Sequence, residues 1–230
     1  MERASFSSAM KYKSAAKVSF SSLVVLGLSI VGIHYWMETK SYLLDDQTLA
    51  RIAEKYVGLP HQEAFDKVHA ELMESYPGHI LPPEEAQWMF VNAGGWKGAM
   101  CMIHASITEY VIFFGTAVDT VGHSGRYWAN ISDTVLTGTF RQWSEGTTVS
   151  QVFHPGDTIL HVWGDVTMVQ WSEGTWMVEY GRGFLPSTLP FTFSDTIFST
   201  QDIWGLLKIL GLYIRLLCRE LACYMGELVD

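Results

Sequence analysis

Apolar residues follow different periods along this chain, and the periods divide it into regions. Residues 18–37 carry no charged side chain over about 20 positions, the length that a helix needs to cross a bilayer. Residues 45–76 repeat apolar side chains at helical spacing, whereas residues 88–185 alternate in short runs broken by glycine, as strands do. The pattern predicts a mainly β protein with flanking helices.

The same changes of pattern set the expected boundaries of the segments. Turn signals such as Glu145-Gly146, Pro155-Gly156 and Glu173-Gly174 recur about every nine residues, which indicates an antiparallel barrel or jelly roll. The predicted segments are a cytosolic tail at 1–17, a transmembrane helix at 18–37, a helical lead-in at 38–87, a ligand-binding β-barrel at 88–185 and membrane-associated helices at 186–230.

The first apolar segment has the flanks of a retained membrane anchor. Arg3 and three lysines precede it, and Tyr35 and Trp36 close it as interfacial aromatic residues do. A cleaved secretory signal is the alternative, but no site of small residues follows the apolar core. Because cations are retained on the cytosolic side, the flank predicts a cytosolic N-terminus and a lumenal barrel.

Two helices are predicted between residues 45 and 76. Asp46 is the expected cap of the first and Pro60 the expected start of the second, because aspartate caps helices and proline is tolerated in a first turn. His61 and His69 fall in the second helix, where we expect packing or surface roles. Both helices should cover the β region and take no part in chemistry.

The first strands of the β region contain carboxylates in apolar surroundings. Residues 91–95 and 110–118 have the composition of buried strands, whereas residues 99–105 have helix-forming composition. Glu109 and Asp133 lie within apolar runs, where an ionised group is costly to desolvate. We expect both to point into an enclosed volume rather than into water.

A carboxylate in residues 175–181 raises the same question. Alternation places Thr175, Met177 and Glu179 on one face of a strand. A carboxyl among such neighbours either becomes neutral through a raised pKa or shares a proton or a cation with a second group. Asp133 is the expected second group; the alternative is that both carboxylates are solvated in turns.

The β region lacks the paired ligands of a metal site. His161 is followed by Trp163 two positions later rather than by a second histidine. No cysteine or carboxylate completes a ligand set at a suitable spacing. The sequence predicts neither a metal nor another cofactor.

Composition narrows the possible functions. Apolar residues make up 48% of the chain and charged residues 17%, with nine tryptophans, which predicts membrane contact. The net charge of -9 argues against a nucleic-acid-binding surface, which needs a basic patch. Cys101, Cys218 and Cys223 are too few for a disulfide framework, and we expect free thiols.

The C-terminal segment predicts a helix that lies on a membrane surface. It starts at a capping sequence in residues 199–202 and runs to about residue 224. Lys208, Arg215 and Arg219 form one narrow stripe on an otherwise apolar helix, and we expect them to face lipid headgroups. A buried packing helix is the alternative.

Several long strings of the sequence resemble one protein family. They are VNAGGWKGAM, HASITEYVIFFGTAV, GHSGRYWANISDT, TWMVEYGRGFLPSTLPF and DTIFSTQD. They are similar to the family of the sigma-1 receptor and the fungal delta-8 to delta-7 sterol isomerases, and the likeness covers nearly all of the chain from about residue 43 to about residue 225. The resemblance implies a cupin-like barrel, a single-pass protein of the endoplasmic reticulum and nuclear envelope, homotrimers and a link to lipid transport.

The resemblance also implies roles for individual residues. Glu179 matches the family carboxylate that contacts the basic amine of ligands, Asp133 the carboxyl that hydrogen-bonds it, and Tyr110 the tyrosine that orients it. The apolar walls implied for the ligand site are Trp96, Met100, Phe114, Trp171, Leu189 and Tyr213.

Two functions follow from these observations. The first is a membrane-anchored receptor for hydrophobic amines or steroid-like molecules that acts as a chaperone-like regulator of other membrane proteins, such as ion channels, in contact with membrane lipids. The alternative is a sterol isomerase in which Glu179 and Asp133 transfer protons. The strings GGWKGAM and TWMVEYGRG are closer to the receptor, which favours a protein that is not an enzyme.

Overall fold

The computed structural model describes residues 2–227, with side chains for residues 20–226. The chain divides into two compact units, one up to Ser41 and one from Tyr42 onward. The first unit is a single helix, and the second contains the described strands.

Helix α1, Glu2–Thr39, makes up most of the first unit. Its segment Phe20–Thr39 is long and apolar enough to cross a membrane, and large apolar side chains such as Leu23 and Leu28 are exposed along it. The side chains of residues 1–17, on whose charges the predicted orientation depends, lie outside the described residues.

Helix α2, Asp46–Glu54, opens the second unit. Its cap is Asp45 rather than the predicted Asp46, since the Asp45 carboxylate accepts a hydrogen bond from the Thr48 N–H at 2.9 Å. Asp45 has the extended backbone of a cap residue, whereas Asp46 is already in the first turn, where its charge faces the positive helix end.

Helix α3, His61–Ser75, begins directly after Pro60. His69 is buried, with Nε2 at 2.6 Å from the carbonyl oxygen of Leu81, and the His61 ring stacks on Trp176 at 4.9 Å. Both histidines therefore have the packing roles that the sequence predicted.

The described residues form ten strands in two antiparallel sheets. The larger sheet has the order β1-β2-β3-β10-β5-β8 and the smaller the order β4-β9-β6-β7. The mainly β architecture with helices is thus as predicted, and closure of the two sheets into one barrel stays a prediction. The strands are β1 Trp88–Ala93, β2 Trp96–Ala105, β3 Glu109–Thr116, β4 Thr120–His123, β5 Ala129–Thr137, β6 Phe140–Ser144, β7 Gln151–Phe153, β8 Thr158–His161, β9 Thr167–Trp171 and β10 Thr175–Gly183.

The expectation of helical structure in residues 99–105 is wrong, because these residues belong to strand β2. Met100 and Met102 pack on one face of the sheet, while Cys101 and Ile103 pack on the other. A strand covered on both faces has no polar alternation to reveal it, and packing between β1 and β3 overrides the helix propensity of alanine and methionine.

The six-stranded sheet has two apolar faces with different partners. One face packs with Phe140, Val169 and Trp171 of the smaller sheet. The opposite face is covered by apolar residues of α2 and α3, among them Ile52 and Phe65. We call these the inner and the outer face; along β10, alternation sends Glu179 to the first and Tyr180 to the second.

The C-terminal segment contains two helices. A short 3-10 turn precedes α4, Leu189–Asp195, and a π-helical turn, Thr196–Thr200, separates it from α5, Ile203–Glu227. Asp202 caps the N-terminus of α5, since its Oδ1 accepts a hydrogen bond from the Gly205 N–H at 2.9 Å. The buried face of α5 includes Leu206, Ile209, Leu212 and Leu216.

The basic residues of α5 have partners within the protein, and their contact with lipid headgroups stays a prediction. Arg219 Nε donates to the Gly78 carbonyl at 2.9 Å, and Arg215 lies 3.5 Å from the Glu85 carboxylate. Both cations therefore contact the lead-in, and Lys208 Nζ lies 5.9 Å from the centroid of the Trp204 ring. The exposed residues of α5 also include large apolar ones, namely Trp204, Leu207, Ile214 and Leu221.

Candidate functional site

A cavity of about 180 Å³ lies between the two sheets and under α4 and α5. Strands β2, β3, β5 and β10 of the larger sheet and β6 and β9 of the smaller sheet contribute to its wall. The structure brings every predicted site residue to this one cavity: Glu179, Asp133, Tyr110, Trp96, Met100, Phe114, Trp171, Leu189 and Tyr213.

Glu179 and Asp133 are opposite one another on adjacent antiparallel strands. Directly opposed residues in such a pair have Cβ atoms about 5 Å apart, so their carboxyl groups are close enough to interact. Asp133 is 6% exposed, and its Oδ1 has no hydrogen-bond donor among the described residues. Two acids placed in this way are most stable when they share a proton or a cation.

The electrostatics at Glu179 agree with this geometry. Burial, the neighbouring Asp133 carboxyl and the hydrogen bond between the two acids raise the pKa of Glu179 to about 8, although a hydrogen bond from Tyr110 acts in the opposite direction. In the empty site, Glu179 therefore holds its proton at neutral pH. A bound cation would reverse this preference, because it stabilises the carboxylate.

Tyr110 is held so that its hydroxyl donates to Glu179 Oε1. The ring crosses Gly181, its partner on β10, and a Cβ at that glycine would lie 2.2 Å from the ring. Burial, followed by the Glu179 carboxylate, raises the pKa of Tyr110 well above its usual value. Tyr110 therefore remains a hydrogen-bond donor at any physiological pH.

Aromatic rings form the cavity wall where the two sheets meet. Trp96 and Trp171 both contact Phe114, with centroid distances of 5.2 Å and 5.5 Å. Phe140 packs on Trp171 at 5.2 Å. Such rings offer an apolar surface to a hydrophobic body and a negative face to a cation.

Helices α4 and α5 also contribute residues to the cavity wall. Asp195 Oδ2 accepts a hydrogen bond from the Gly95 N–H at 2.8 Å, which ties α4 to the β1–β2 turn. Phe191 of α4 packs edge-on against Tyr127 at 5.4 Å. On α5, the Tyr213 hydroxyl donates to the Ser106 carbonyl at 3.0 Å, so each helix has a polar contact with a connection between strands.

Sequence reasoning missed two polar residues of the cavity, His161 and Tyr127. His161 Nε2 lies 3.5 Å from Asp133 Oδ2, but the sequence was read for a second metal ligand and not for a partner of Asp133. Burial and then the Glu179 and Asp133 carboxylates raise the pKa of Tyr127. The signal for His161 lay in strand pairing, since β8 pairs with β5.

Glu109 does not point into the cavity, contrary to expectation. Its carboxylate accepts hydrogen bonds from the N–H groups of Leu43 and Leu44 and from the Tyr180 hydroxyl, all on the outer face. Glu109 and Tyr110 are neighbours in β3 and must face opposite sides. Once Tyr110 faces Glu179, Glu109 therefore faces away from it.

The chain matches the protein family described as ERG2 and Sigma1 receptor like protein over residues 20–225. It is 57% identical to the sigma non-opioid intracellular receptor 1 of Taricha granulosa over 206 residues, 90% of this chain and 92% of that protein. The receptor of the same name from Danio rerio is 56% identical over 202 residues, 88% of this chain and 91% of that protein. The protein erg2 homolog of Dictyostelium discoideum is 37% identical over 187 residues, 78% of this chain and 79% of that protein.

Solved cupin structures have a more distant likeness. An RmlC-like cupin from Shewanella frigidimarina is 16% identical, with a TM-score of 0.37 over 46% of this chain and 90% of that one. A TM-score of this size supports no conclusion on fold or function.

Proposed function

The chain belongs to the family of ERG2 and sigma-1-receptor-like proteins, and on that premise we propose that it is a membrane-anchored receptor for hydrophobic amines. The observation that carries the proposal is the pair of opposed acids, Glu179 and Asp133, in the wall of an otherwise apolar cavity. A ligand ammonium would pair with Glu179 in place of the proton that the two acids share.

The cavity suits a cation attached to an apolar body. Trp96, Phe114 and Trp171 offer ring faces, and a desolvated cation–π contact contributes about 2 kcal/mol. An ion pair is also stronger in such surroundings than in water. We therefore assign the ligand class as hydrophobic cationic amines and steroid-like molecules, with Tyr110 orienting Glu179 and the remaining lining residues enclosing the ligand body.

The proposed membrane arrangement rests on two apolar surfaces. The segment Phe20–Thr39 would cross the bilayer once, with the N-terminus cytosolic and the β domain lumenal. The exposed apolar side of α5, with Trp204 and Ile214 on it, would contact the lipid. We place the protein in the membrane of the endoplasmic reticulum and the nuclear envelope, by family resemblance.

We further propose that the protein regulates other membrane proteins, such as ion channels, in a chaperone-like way, and that it assembles as a homotrimer. Both proposals, and a role in lipid transport, rest on the family resemblance. The receptor names of relatives more than 50% identical to this chain support the receptor over an enzyme.

Binding of a radiolabelled hydrophobic amine to the full chain tests the receptor proposal. We expect Glu179→Gln to lower affinity at least about 100-fold, because loss of one partner of a buried charge pair costs several kcal/mol. Asp133→Ala should weaken binding less. Glu173→Gln is a matched control, since Glu173 is exposed. Normal affinity in both cavity variants would mean that the ligand binds elsewhere.

A sterol isomerase is the second candidate, and the raised pKa of Glu179 favours it specifically. A carboxyl with a pKa of about 8 can act as a general acid at neutral pH, with Asp133 as the base. The test is growth of an isomerase-deficient yeast strain that expresses this chain. Rescue that disappears in Glu179→Gln would identify an enzyme, and the absence of rescue from a well-expressed chain supports the receptor.

A further inference from the structure

Outside the cavity, a cluster of buried polar residues connects α5 with the lead-in and with strand β2. Glu220 of α5, His79 of the lead-in and His104 of β2 are 5%, 7% and 1% exposed. His79 Nδ1 lies 2.9 Å from Glu220 Oε2, and His104 Nδ1 lies 3.9 Å from the same oxygen. Ligand binding does not account for these titratable groups, since they are not part of the cavity wall.

The cluster holds the second half of the helix whose first half covers the cavity. Ile209 and Tyr213 of α5 line the cavity. Two turns further on, Arg219 Nε and Cys223 Sγ both donate to the Gly78 carbonyl, at 2.9 Å and 3.4 Å. The C-terminal half of α5 is therefore docked through polar contacts in addition to its buried apolar residues such as Leu216.

The hydrogen bonds available to His104 in its buried position favour the neutral imidazole ring over the protonated one. Its Nδ1 lies 3.0 Å from the His79 carbonyl oxygen, and a carbonyl can only accept, so Nδ1 carries the hydrogen. In the neutral ring, Nε2 is then a lone pair. Protonation would place an N–H at Nε2, which is buried with no hydrogen-bond partner among the described residues, and an unsatisfied buried donor is costly.

The charges around His104 only partly offset that cost. Glu220, Glu109 and His79 surround the ring, and the remaining titratable groups of α5 at this contact are Arg219, Cys223 and Tyr224, which touch Gly78 or His79. Burial lowers the pKa of His104 below 6.5, against the hydrogen bond to His79 and the two carboxylates. The docked helix thus binds fewer protons than the undocked one, so docking loses stability as pH falls below about 6.5.

We propose that His79, His104 and Glu220 form an acid-sensitive latch for the C-terminal half of α5. The helix is docked while His104 is neutral and is released when His104 takes up a proton. Release would loosen the cavity wall that Ile209 and Tyr213 of the same helix provide. The latch is measured without a ligand, so it can be tested independently of the proposed receptor function.

Two thiols on α5 provide the measurement. Cys223 is half-buried at the docked contact, and Cys218 is exposed five residues earlier. The full chain, without ligand and in detergent micelles, is labelled with a pulse of N-ethylmaleimide, and mass spectrometry measures the labelling rate of each thiol. The quantity compared is the rate at Cys223 divided by the rate at Cys218. Because both thiols experience the same reagent and pH, the ratio largely cancels the intrinsic pH dependence of thiol reactivity. We expect it to rise at least about threefold from pH 7.5 to pH 5.5, within the limit of about tenfold per pH unit for one proton.

Variants identify the titrating group. In His104→Gln, whose amide can still donate to the His79 carbonyl, the ratio should no longer change with pH. His154→Gln makes the same chemical change at an exposed histidine and should keep the wild-type response. Glu220→Gln should keep the response but move it to lower pH, because the amide oxygen still accepts from His79 Nδ1–H while the charge that raises the pKa of His104 is lost.

Three outcomes would overturn the latch. They are a wild-type ratio that does not change with pH, a normal response in folded His104→Gln, and a response in Glu220→Gln that moves to higher pH. Circular dichroism establishes folding. If His104→Gln does not fold, His104→Met replaces it, since methionine fills the space of the ring without titrating.

Discussion

Two glutamates on adjacent strands, Glu109 and Glu179, illustrate how surroundings assign different roles to the same side chain. Glu109 of β3 faces the outer side of the large sheet, where the N–H groups of Leu43 and Leu44 and the Tyr180 hydroxyl donate to it, all at 2.9 Å. These donors come from separate segments, so the carboxylate joins the lead-in to the sheet. Its role is structural.

Glu179 of β10 faces the cavity with fewer donors. Tyr110 donates to it, but its other close neighbour is the acid Asp133. A carboxylate with a full set of donors stabilises the fold, whereas one beside another acid lacks a positive partner. The comparison indicates that burial alone does not distinguish the proposed binding site, whereas a carboxyl without a positive partner does.

Replacing each glutamate by glutamine should give the largest difference between the structural role of Glu109 and the proposed binding role of Glu179. Glu109→Gln should lower the free energy of unfolding by about 3 kcal/mol, since an amide cannot accept from three donors, and should lower Tm by about 6 to 12 °C. Glu179→Gln should not lower Tm at neutral pH, because the amide replaces a carboxyl that already holds its proton in the folded protein. Thermal unfolding followed by circular dichroism measures both; equal losses of Tm would end the distinction.

The pH dependence of affinity sharpens the description of the cavity. Since a cation binds the ionised form and the pKa of Glu179 is about 8, affinity should rise by up to about tenfold per pH unit from pH 6 to pH 8 and then level off. The ligand should be an amine with a pKa above about 10, so that only the protein titrates. Calorimetry in two buffers of different ionisation enthalpy should also detect proton release, and an affinity that is flat over this range would contradict the raised pKa.

The raised pKa of Glu179 also predicts how the stability of the protein without a bound cation depends on pH. Stability should fall as pH rises, whereas affinity should increase. Because the folded protein holds a proton on Glu179 that the unfolded chain has lost above about pH 4.5, this group makes folding less favourable as pH rises from about 4.5 to 8. Glu179→Gln should remove that part of the slope of stability against pH. Urea unfolding at several pH values measures it, with Glu173→Gln as the control that should keep the wild-type slope.

Each glutamate has its own tyrosine, which allows a matched test of smaller size. Tyr110→Phe should weaken amine binding about tenfold at neutral pH, because a hydrogen bond to a charged group contributes about 1.5 kcal/mol or more, with little change in Tm. Tyr180→Phe should lower Tm by about 3 to 6 °C and leave affinity unchanged. A Tyr180→Phe variant with impaired binding would show that the two faces are coupled.

His161 should have the smallest effect on binding. Its Nε2 lies 3.5 Å from Asp133 Oδ2, a distance too long for a strong hydrogen bond, so His161→Gln should weaken binding only about threefold. A loss as large as that of Glu179→Gln would place His161 at the centre of the site.

Much of the fold and of the site could be predicted from the sequence alone. The covering helices, the glycine-broken strands and the apolar N-terminal helix follow from period and composition, which are local properties of the chain. Glu179 and Asp133 could be paired because each is a costly charge in an apolar strand. Residues 99–105 could not be assigned, because a strand buried on both faces has no alternating pattern.

The sequence by itself determined which groups are costly to bury and on which side of its own strand each one lies. It did not determine which side faces the cavity, so Glu109 was placed inside when it lies outside. Only the tertiary structure decided that, through the register that sets Glu179 against Asp133 and through the distant segments that bring donors to Glu109 and place Glu220 against His79. The physical reason is that hydrogen bonds and charge pairs form between atoms close in space, and the pairing of strands, rather than their local composition, sets those distances.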